Sequence, residues 1–309
     1  IAVEKLMVDR LAGANVDVYG SEFICWLHRE FYQRLPEPLH WAKTLSGQSY
    51  RIEPGRLRDF RVDVGRHTPP QFDALPRFLS RFNQFYGSRE IIETDRLAAI
   101  AAAHHRLAWI HPFGDGNGRV IRLHSQALMI HHGLDGGGLW TLSRGLARQR
   151  QRYYDFLQAA DVGRRNDLDG RGNLSDAGLA AFCQFFLETV LDQIQFMSGL
   201  LGLPALRTRV ERYFQFETLH LKLYREELMR VVRTLIDEGE IPRTRVQEIT
   251  GKGATVSAEI IKLGLQEGLV DSPSPKGPLQ PGFPAKILEF YFPQLFIDLP
   301  ADKTDRDRQ

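Results

Sequence analysis

Residues 111–122 read His111-Pro112-Phe113-Gly114-Asp115-Gly116-Asn117-Gly118-Arg119-Val120-Ile121-Arg122 and lie between two runs of helical periodicity. The three glycines allow backbone conformations that other residues avoid, and they let amide N–H groups approach a ligand closely. We therefore predict a glycine-rich turn that enters a helix. The N-terminus of such a helix binds phosphate well, because its first amides are unpaired and its dipole favours an anion.

The side chains of this segment add the other groups that a polyphosphate site needs. Arg119 and Arg122 are three residues apart, so they project from one helical face, and two guanidinium groups suit a polyphosphate. Asp115 offers the hard oxygen that Mg²⁺ accepts while it also binds substrate phosphates. His111 is a candidate general base, because histidine titrates near neutral pH. Each residue alone also has an ordinary structural explanation, and only the combination is specific.

Composition bounds the class of protein. The chain has 309 residues, of which 43% are hydrophobic and 25% charged, and this composition indicates a globular protein. Its length predicts one large and one small domain. Only two cysteines are present, which excludes a disulfide scaffold and fits a reducing, cytoplasmic setting. Glu188 and Asp192 interrupt the apolar stretch at 179–203, which predicts a buried helix rather than a membrane span. A net charge of +2 does not by itself indicate a nucleic-acid or membrane partner.

Helical periodicity dominates the first two thirds of the chain. Apolar residues recur at spacings of three and four in five segments, which predicts a mostly α-helical domain: 23–31, 75–85, 97–110, 119–130 and 180–197. Between residues 51 and 70 the pattern alternates instead, and Gly65 and the pair Pro69-Pro70 then stop it, which predicts a short β-hairpin. Residues 163–173 are rich in glycine and charge and predict a surface loop.

A different unit is predicted after residue 206. Its order is a long helix at 219–238, shorter helices at 245–250 and 254–267, a segment rich in proline and glycine, and a strand-like segment at 286–292. This order indicates a winged helix-turn-helix. The predicted recognition helix at 254–267 carries Lys262 against Glu259 and Glu267, a poor electrostatic match for DNA. Binding to a protein or to a second copy of the chain is favoured, and DNA binding stays open.

Residues 111–122 match the signature of the Fic family, H-P-F-x-[D/E]-G-N-G-R-x-x-R, at every fixed position. The similarity extends over about residues 54–188. The resemblance implies a mainly α-helical Fic domain at 1–205, with a small β-hairpin flap at about 58–70. The predicted winged-helix domain would follow at 206–300, and a charged tail at 301–309.

The resemblance also implies protein adenylylation (AMPylation) as the activity. By this similarity, His111 deprotonates a Ser, Thr or Tyr hydroxyl of a target protein or of the chain itself. That hydroxyl attacks the α-phosphorus of ATP, AMP is transferred and pyrophosphate leaves. Asp115 would be the residue that holds Mg²⁺. The phosphate-binding residues would be Gly116, Asn117, Gly118, Arg119 and Arg122.

Two further sets of contacts follow from the same resemblance. Tyr153 and Tyr154 resemble residues that lie near the adenine of the nucleotide. The flap would pair with the backbone of the target protein, and its docking residues would be Val62, Asp63, Val64 and Gly65.

Alternatives within and outside this family stay open. The same signature occurs in relatives that transfer UMP or phosphocholine or that remove AMP, and the chain is also compatible with a transcriptional regulator that senses ATP. Many Fic proteins carry an inhibitory helix with the pattern [S/T]-x-x-x-E-[G/N]. Here only residues 234–239 match it, at the end of a predicted helix in the C-terminal unit, and we interpret that match as chance.

Overall fold

A computed structural model describes residues 2–13, 16–43, 47–65, 67–134, 140–200, 202–216, 218, 221 and 223–293. The chain divides into two compact units, Ile1–Gln195 and Phe196–Gln309. This division falls inside a helix at Asp176–Leu200, whereas the predicted domain boundary at 205/206 lies inside a helix at Leu203–Phe216. The helices up to the division are α1 Ala2–Gly13, α2 Ser21–Tyr32, α3 Leu75–Tyr86, α4 Glu93–Ile110, α5 Asn117–His131, α6 Leu142–Arg148, α7 Arg150–Ala160 and α8 Asp176–Leu200. The five segments with predicted helical periodicity each fall within one of these helices, so those predictions are confirmed.

Helix α5 is the centre of the N-terminal unit and begins at the glycine-rich segment. It contacts α1, α2, α4 and α6. Val120, Ile121 and Leu128 are buried on α5, and they share the core with Ile100 and Leu107 of α4. A fully buried side chain of this size contributes about 1.5–3 kcal/mol relative to its exposed state. The packing of α5 therefore fixes the position of the turn at its N-terminus.

A two-stranded hairpin lies just after α2, where the sequence analysis predicted none. Strand β1 (Trp41–Lys43) pairs antiparallel with β2 (Ser49–Arg51), with Ala42 opposite Tyr50. Each strand has only three residues, and the outer two are exposed. A strand of three residues is too short for alternation of apolar and polar residues to predict it, because that signal needs about four to eight residues.

The predicted β-hairpin at 58–70 forms only in part. Across the described residues 58–65 and 67–70, pairing is limited to one antiparallel bridge in which Val64 and His67 exchange both main-chain hydrogen bonds. The buried guanidinium of Arg58 bonds to the carbonyls of Phe60 and Pro70 instead, at 3.0 and 2.6 Å. In this segment the Arg58 side chain thus makes hydrogen bonds to main-chain carbonyls that a paired strand would otherwise supply.

The C-terminal unit has a hydrophobic core of its own, which includes Val231, Leu235, Ile260 and Leu279. Its elements are α9 Leu203–Phe216, α10 Arg225–Glu238, α11 Arg245–Thr250, α12 Ala254–Glu267, β3 Val270–Asp271, β4 Gln280–Pro281 and α13 Ala285–Tyr291. The predicted helices at 245–250 and 254–267 are confirmed. The helix predicted from residue 219 begins at Arg225, and residues 219 and 220 lie outside the described residues. Strands β3 and β4 pair antiparallel.

The prediction of a strand at 286–292 is wrong, because this segment forms helix α13. Ile287 and Tyr291 are both buried, and their spacing of four places them on one face of a helix. Short apolar runs do not distinguish strand from helix by periodicity alone. The winged-helix assignment of 206–300 stays a prediction, and the tail at 301–309 lies outside the described residues.

Within these described ranges, no helix combines the length and the apolarity that are needed to cross a membrane.

Candidate active site

His111 ends helix α4 in a left-handed backbone conformation, with φ 50° and ψ 64°. Its amide donates to the carbonyl of Leu107 at 3.1 Å, and Pro112 follows, so the helix cannot continue. Few residues other than glycine adopt this conformation, which costs about 1–3 kcal/mol unless the surroundings enforce it. Here Arg58 helps to enforce it, because its Nε donates to the His111 carbonyl at 2.8 Å.

The imidazole of His111 is neutral at physiological pH. The pKa of His111 is lowered to about 4, mainly by burial and in part by Arg58 and His67, while a hydrogen bond to the backbone of Ala108 and the charge of Asp115 oppose the shift. A neutral imidazole has a free nitrogen lone pair and can accept a proton from a substrate hydroxyl. His111 is therefore in the protonation state that a general base requires.

Two glycines of the loop pack so tightly that a side chain would not fit. Gly116 has φ 79°, and an added Cβ would lie 2.6 Å from Cε2 of Tyr32. At Gly114 an added Cβ would lie 2.9 Å from both Cζ of Phe60 and Oη of Tyr50. The loop is thus enclosed on one side by aromatic rings from α2, β2 and the segment after Arg58.

The N-terminus of α5 presents main-chain amides. Gly116 is the N-cap, and its carbonyl accepts from the amides of Arg119 and Val120 at 3.1 and 3.0 Å. The amides of Asn117 and Gly118 belong to the first turn, where a helix offers no internal acceptor. Such amides and the helix dipole together favour an anion at this end.

The side chain of Asn117 closes the loop. Its Oδ1 accepts from the Phe113 amide at 3.0 Å, and its Nδ2 donates to the Phe113 carbonyl at 2.8 Å. The side chain is buried and engaged at both ends, so the main-chain amide is the part of Asn117 available to a phosphate. Asn117, a predicted phosphate-binding residue, therefore also stabilises the conformation of the turn through its side chain.

Arg119 and Arg122 both emerge from the first turns of α5. Arg119 is exposed, and its guanidinium carbon lies 5.4 Å from the centre of the Phe31 ring. Arg122 is half-buried and reaches back along the helix, since a Cβ added at Gly118 would lie 3.6 Å from its Nη1. The Arg122 cation thus lies beside the first-turn amides, as the helical spacing predicts.

Asp115 is exposed at the tip of the loop and is held by helix α2. The hydroxyl of Tyr32 donates to Oδ2 of Asp115 at 2.9 Å. His28 contacts the main-chain carbonyl of Asp115 through Nε2 at 3.3 Å, while its Nδ1 accepts from the Gly55 amide at 2.8 Å. Because Nδ1 is an acceptor, the ring hydrogen must lie on Nε2, which then donates to Asp115.

The donor set around Asp115 fits Mg²⁺ bound together with a nucleotide. In the part of the chain that the structure describes, no group of three or more His, Cys, Asp or Glu side chains could hold a metal ion. Mg²⁺ is usually bound by one or two carboxylates, substrate phosphates and water rather than by a cage of protein ligands. A single exposed carboxylate beside a phosphate-binding turn matches that mode.

The two predicted adenine-contacting tyrosines have different environments. Tyr153 is buried, and its hydroxyl bonds to Nε2 of His104 at 2.8 Å, while Nδ1 of His104 bonds to Ser125 at 2.7 Å. Tyr154 is 48% exposed, and its ring centre lies 5.4 Å from that of Tyr153. Only Tyr154 therefore presents a ring that a ligand can reach.

The predicted flap residues form the tip of the segment that Arg58 secures. Val62 is half-buried, Asp63 accepts from the Thr68 hydroxyl at 3.1 Å, and Gly65 adopts φ 60° in the turn. Val64 uses both its amide and its carbonyl in the bridge to His67.

Sequence analysis did not identify the contacts that the loop receives from four residues earlier in the chain: Arg58, His28, Tyr32 and Tyr50. Arg58 bonds to the carbonyls of His111, Phe60 and Pro70 with its side chain and to that of Pro112 with its amide. Tyr50 donates to the Gly114 carbonyl at 2.8 Å. These residues lie about 50 to 90 positions before the loop, and no spacing rule connects residues so far apart.

One loop thus brings together a histidine with a lowered pKa, a carboxylate, two arginines and a helix N-terminus, an arrangement whose chemistry suits a polyphosphate. Residues 19–129, which include this loop, match the Fic/DOC family. This part of the chain is therefore similar to a Fic domain.

Relatives named "Protein adenylyltransferase Fic" align with the same part of the chain. The protein from Aedes aegypti is 34% identical over 129 residues, which are 42% of this chain and 25% of that protein. The protein from Nematostella vectensis is 34% identical over 119 residues, 38% of this chain and 26% of that protein. The chain thus spans about a quarter of the length of these relatives.

A solved structure of a Fic family protein from Desulfovibrio desulfuricans G20 is similar to the structure of this chain. The alignment covers 92% of this chain and 73% of that chain, at 17% identity and a TM-score of 0.45.

Proposed function

We propose that this chain is a protein adenylyltransferase, which transfers AMP from ATP to a Ser, Thr or Tyr hydroxyl of a target protein or of itself. The observation that carries the proposal is the geometry of the loop. In this loop His111, whose pKa is lowered to about 4, immediately precedes the first turn of α5, where the main-chain amides and Arg122 would bind the phosphates of ATP. The base and the phosphate site would then lie in one continuous segment of the chain. The names of the similar proteins support the same activity.

The proposed reaction is an in-line displacement at the α-phosphorus of ATP. The imidazole of His111 takes the proton of the target hydroxyl, whose oxygen forms a bond to the α-phosphorus. The bond from that phosphorus to the oxygen that bridges to the β-phosphate breaks, and pyrophosphate leaves with the bonding electrons. Positioning and charge stabilisation are the main contributions that a protein makes to such transfers.

The loop supplies the charge stabilisation in this mechanism. The amides of Asn117 and Gly118 would donate to the α-phosphate, with Gly116 as the N-cap that aims them. Arg119 and Arg122 would bind the outer phosphates and the departing pyrophosphate. Asp115 would hold Mg²⁺, which when bound supplies positive charge against the phosphate oxygens.

We further propose where the adenine and the target bind. The exposed ring of Tyr154 would contact the adenine, with the buried Tyr153 supporting it from behind. The target backbone would dock along 62–65, where the main chain of Val62 and Asp63 is the available part, because Val64 already pairs with His67. Main-chain pairing of this kind is largely indifferent to the target sequence.

Transfer of label from α-labelled ATP tests the proposed activity. The chain is incubated with a cell lysate, Mg²⁺ and ATP labelled at the α- or at the γ-phosphate. Relative to lysate without the added chain, we expect additional protein-bound label from the α-position only, and its loss in His111→Ala. The matched control is His131→Ala, which removes an exposed histidine from the far end of α5 and should keep the activity. Absence of protein-bound label with the wild-type chain at saturating ATP would overturn the proposal.

The same assay separates the alternative activities. Label from UTP or CDP-choline, with none from ATP, would indicate another transferred group. Loss of label from an already adenylylated protein would indicate AMP removal. An ATP-sensing regulator would retard duplex DNA in a manner that His111→Ala leaves unchanged.

We also propose that the C-terminal unit is a winged helix that binds a protein or a second copy of the chain rather than DNA. The charged residues on α12 are Glu259, Lys262 and Glu267, a poor electrostatic match for the phosphates of DNA.

A further inference from the structure

Tyr32 forms a direct hydrogen bond to the carboxylate that we assign to the metal. The hydroxyl of Tyr32 donates to Oδ2 of Asp115 at 2.9 Å. Among the hydrogen bonds of the described residues, Oδ1 of Asp115 accepts none. The two oxygens of this carboxylate are therefore not equivalent, because one of them already accepts a hydrogen bond.

The position of the Tyr32 hydroxyl is fixed by packing. Its ring is fully buried at the end of α2, with the ring centre of His28 4.5 Å away and that of His40 5.8 Å away. Gly116 packs against it so closely that a methyl group would clash at 2.6 Å. A buried side chain in such surroundings keeps one rotamer, so the hydroxyl cannot swing away from Asp115 without disrupting the core.

The main chain of Asp115 is held by the same helix. His28 donates from Nε2 to the Asp115 carbonyl at 3.3 Å, and its ring stacks on that of Phe113 with centres 4.0 Å apart. Backbone and carboxylate of Asp115 are thus both oriented by α2. This leaves the carboxylate little freedom to rotate and exchange one oxygen for the other.

We propose that Tyr32 is a positioning residue that determines which cation the site accepts, an inference that rests on the proposed role of Asp115 in holding the metal of ATP. Because Oδ2 already accepts the Tyr32 hydroxyl, it is the weaker ligand of the two oxygens, and Asp115 binds a cation through Oδ1 rather than through both. Mg²⁺ takes one oxygen from a carboxylate and keeps octahedral geometry, whereas Ca²⁺ accommodates more ligands and readily takes both oxygens. Tyr32 therefore favours Mg²⁺ over Ca²⁺.

The substitution Tyr32→Phe tests this inference, because it removes the hydroxyl and keeps the ring. The matched control is Tyr50→Phe, which removes a hydroxyl that donates at 2.8 Å to the carbonyl of Gly114 in the same loop. Each protein is saturated with α,β-methylene-ATP, and its affinity for Mg²⁺ and for Ca²⁺ is measured by displacement of Mn²⁺, followed by electron paramagnetic resonance. We expect the ratio of Ca²⁺ to Mg²⁺ affinity to rise roughly tenfold in Tyr32→Phe and to stay unchanged in Tyr50→Phe.

A double-mutant cycle with Asp115→Ala separates selectivity from loop stability. In the Asp115→Ala background, Tyr32→Phe should no longer change the ratio, since the carboxylate that it acts on is absent. An unchanged ratio in the single variant, an equal rise in Tyr50→Phe, or a wild-type chain that leaves the Mn²⁺–nucleotide signal unaltered would each overturn the inference. Metal binding needs no transfer of AMP. A normal shift in selectivity without protein labelling would therefore contradict the proposed reaction alone.

Discussion

At Gly116 the loop and helix α2 approach each other so closely that only a hydrogen atom fits between backbone and ring. The residue also needs φ 79°, a conformation that costs other residues about 1 kcal/mol or more. Two residues later, at Gly118, an added Cβ would meet only Nη1 of Arg122 at 3.6 Å, an ordinary contact distance. Backbone conformation and the contact with Tyr32 thus both require glycine at position 116, whereas neither constraint applies at position 118.

This difference predicts opposite effects of alanine on stability. Gly116→Ala should lower the free energy of unfolding by about 2–4 kcal/mol, because it combines strain with a clash against Tyr32. Gly118→Ala should leave it unchanged or raise it by up to about 1 kcal/mol, because alanine favours helix over glycine. Urea denaturation followed by circular dichroism measures both. Equal destabilisation by the two substitutions would show that the Tyr32 contact is not the constraint.

At the scale of elements, two side chains, Arg58 and His67, attach the segment 58–70 to the end of α4. Arg58 bonds to the carbonyls of His111, Phe60 and Pro70, and burial lowers the pKa of this guanidinium. Nearby, His67 reaches the Trp109 carbonyl through Nε2 at 2.8 Å and attaches the tip of the segment to α4. The flap and the histidine at the end of α4 therefore share hydrogen-bond partners, and we infer that their positions are coupled.

Arg58→Ala should therefore affect both the flap and the catalytic loop. The substitution leaves three carbonyls without their donor, so we expect a loss of about 2–4 kcal/mol in the free energy of unfolding together with a loss of AMP transfer. The comparison is Arg56→Ala, an exposed arginine that pairs with Glu53 at 2.7 Å and Asp59 at 2.8 Å. Exposed ion pairs contribute little to stability because solvent screens them, so stability and activity should change little. Similar losses in both variants would contradict the proposed role of Arg58.

At the scale of the whole molecule, several histidines are kept neutral by the fold. Burial is the main cause that lowers the pKa of His28, His111, His124 and His132 to about 4 from the ordinary value of 6.5. Between these two pH values the unfolded chain binds protons that the folded chain does not. The free energy of unfolding must then rise with pH over this range. The contribution of these histidines to stability therefore decreases as the pH falls from about 6.5 to about 4.

Replacing one of these histidines should reduce this pH dependence. His124 is buried and contacts the Val18 carbonyl at 2.9 Å through Nε2, a contact that the amide of glutamine can imitate. Between pH 6 and 4.5 we expect His124→Gln to lower the slope of the unfolding free energy by about one proton, or about 1.4 kcal/mol per pH unit. Denaturation series across this range measure the slope, with the exposed His131→Gln as the unchanged reference. Identical slopes for the wild-type chain and His124→Gln would refute the assignment.

The sequence by itself determined the helices around the loop and the contents of the loop. Apolar spacing predicted α2, α3, α4, α5 and α8, because helix periodicity is a local property of neighbouring residues. The glycines, Asp115 and the two arginines also lie within twelve consecutive positions, so their proximity needed no tertiary information. The pattern failed at 286–292 and 41–51, where segments are too short for periodicity to distinguish strand from helix.

Only the tertiary structure decided how that loop is held and charged. The neutral state of His111 results from burial, the hydrogen bond that distinguishes the two oxygens of Asp115 comes from Tyr32, and the left-handed end of α4 is secured by Arg58. Tyr32 and Asp115 are 83 positions apart, and Arg58 and His111 are 53 apart. Contacts at such separations arise from the packing of α2 and α4 around α5, which no local pattern of residues encodes.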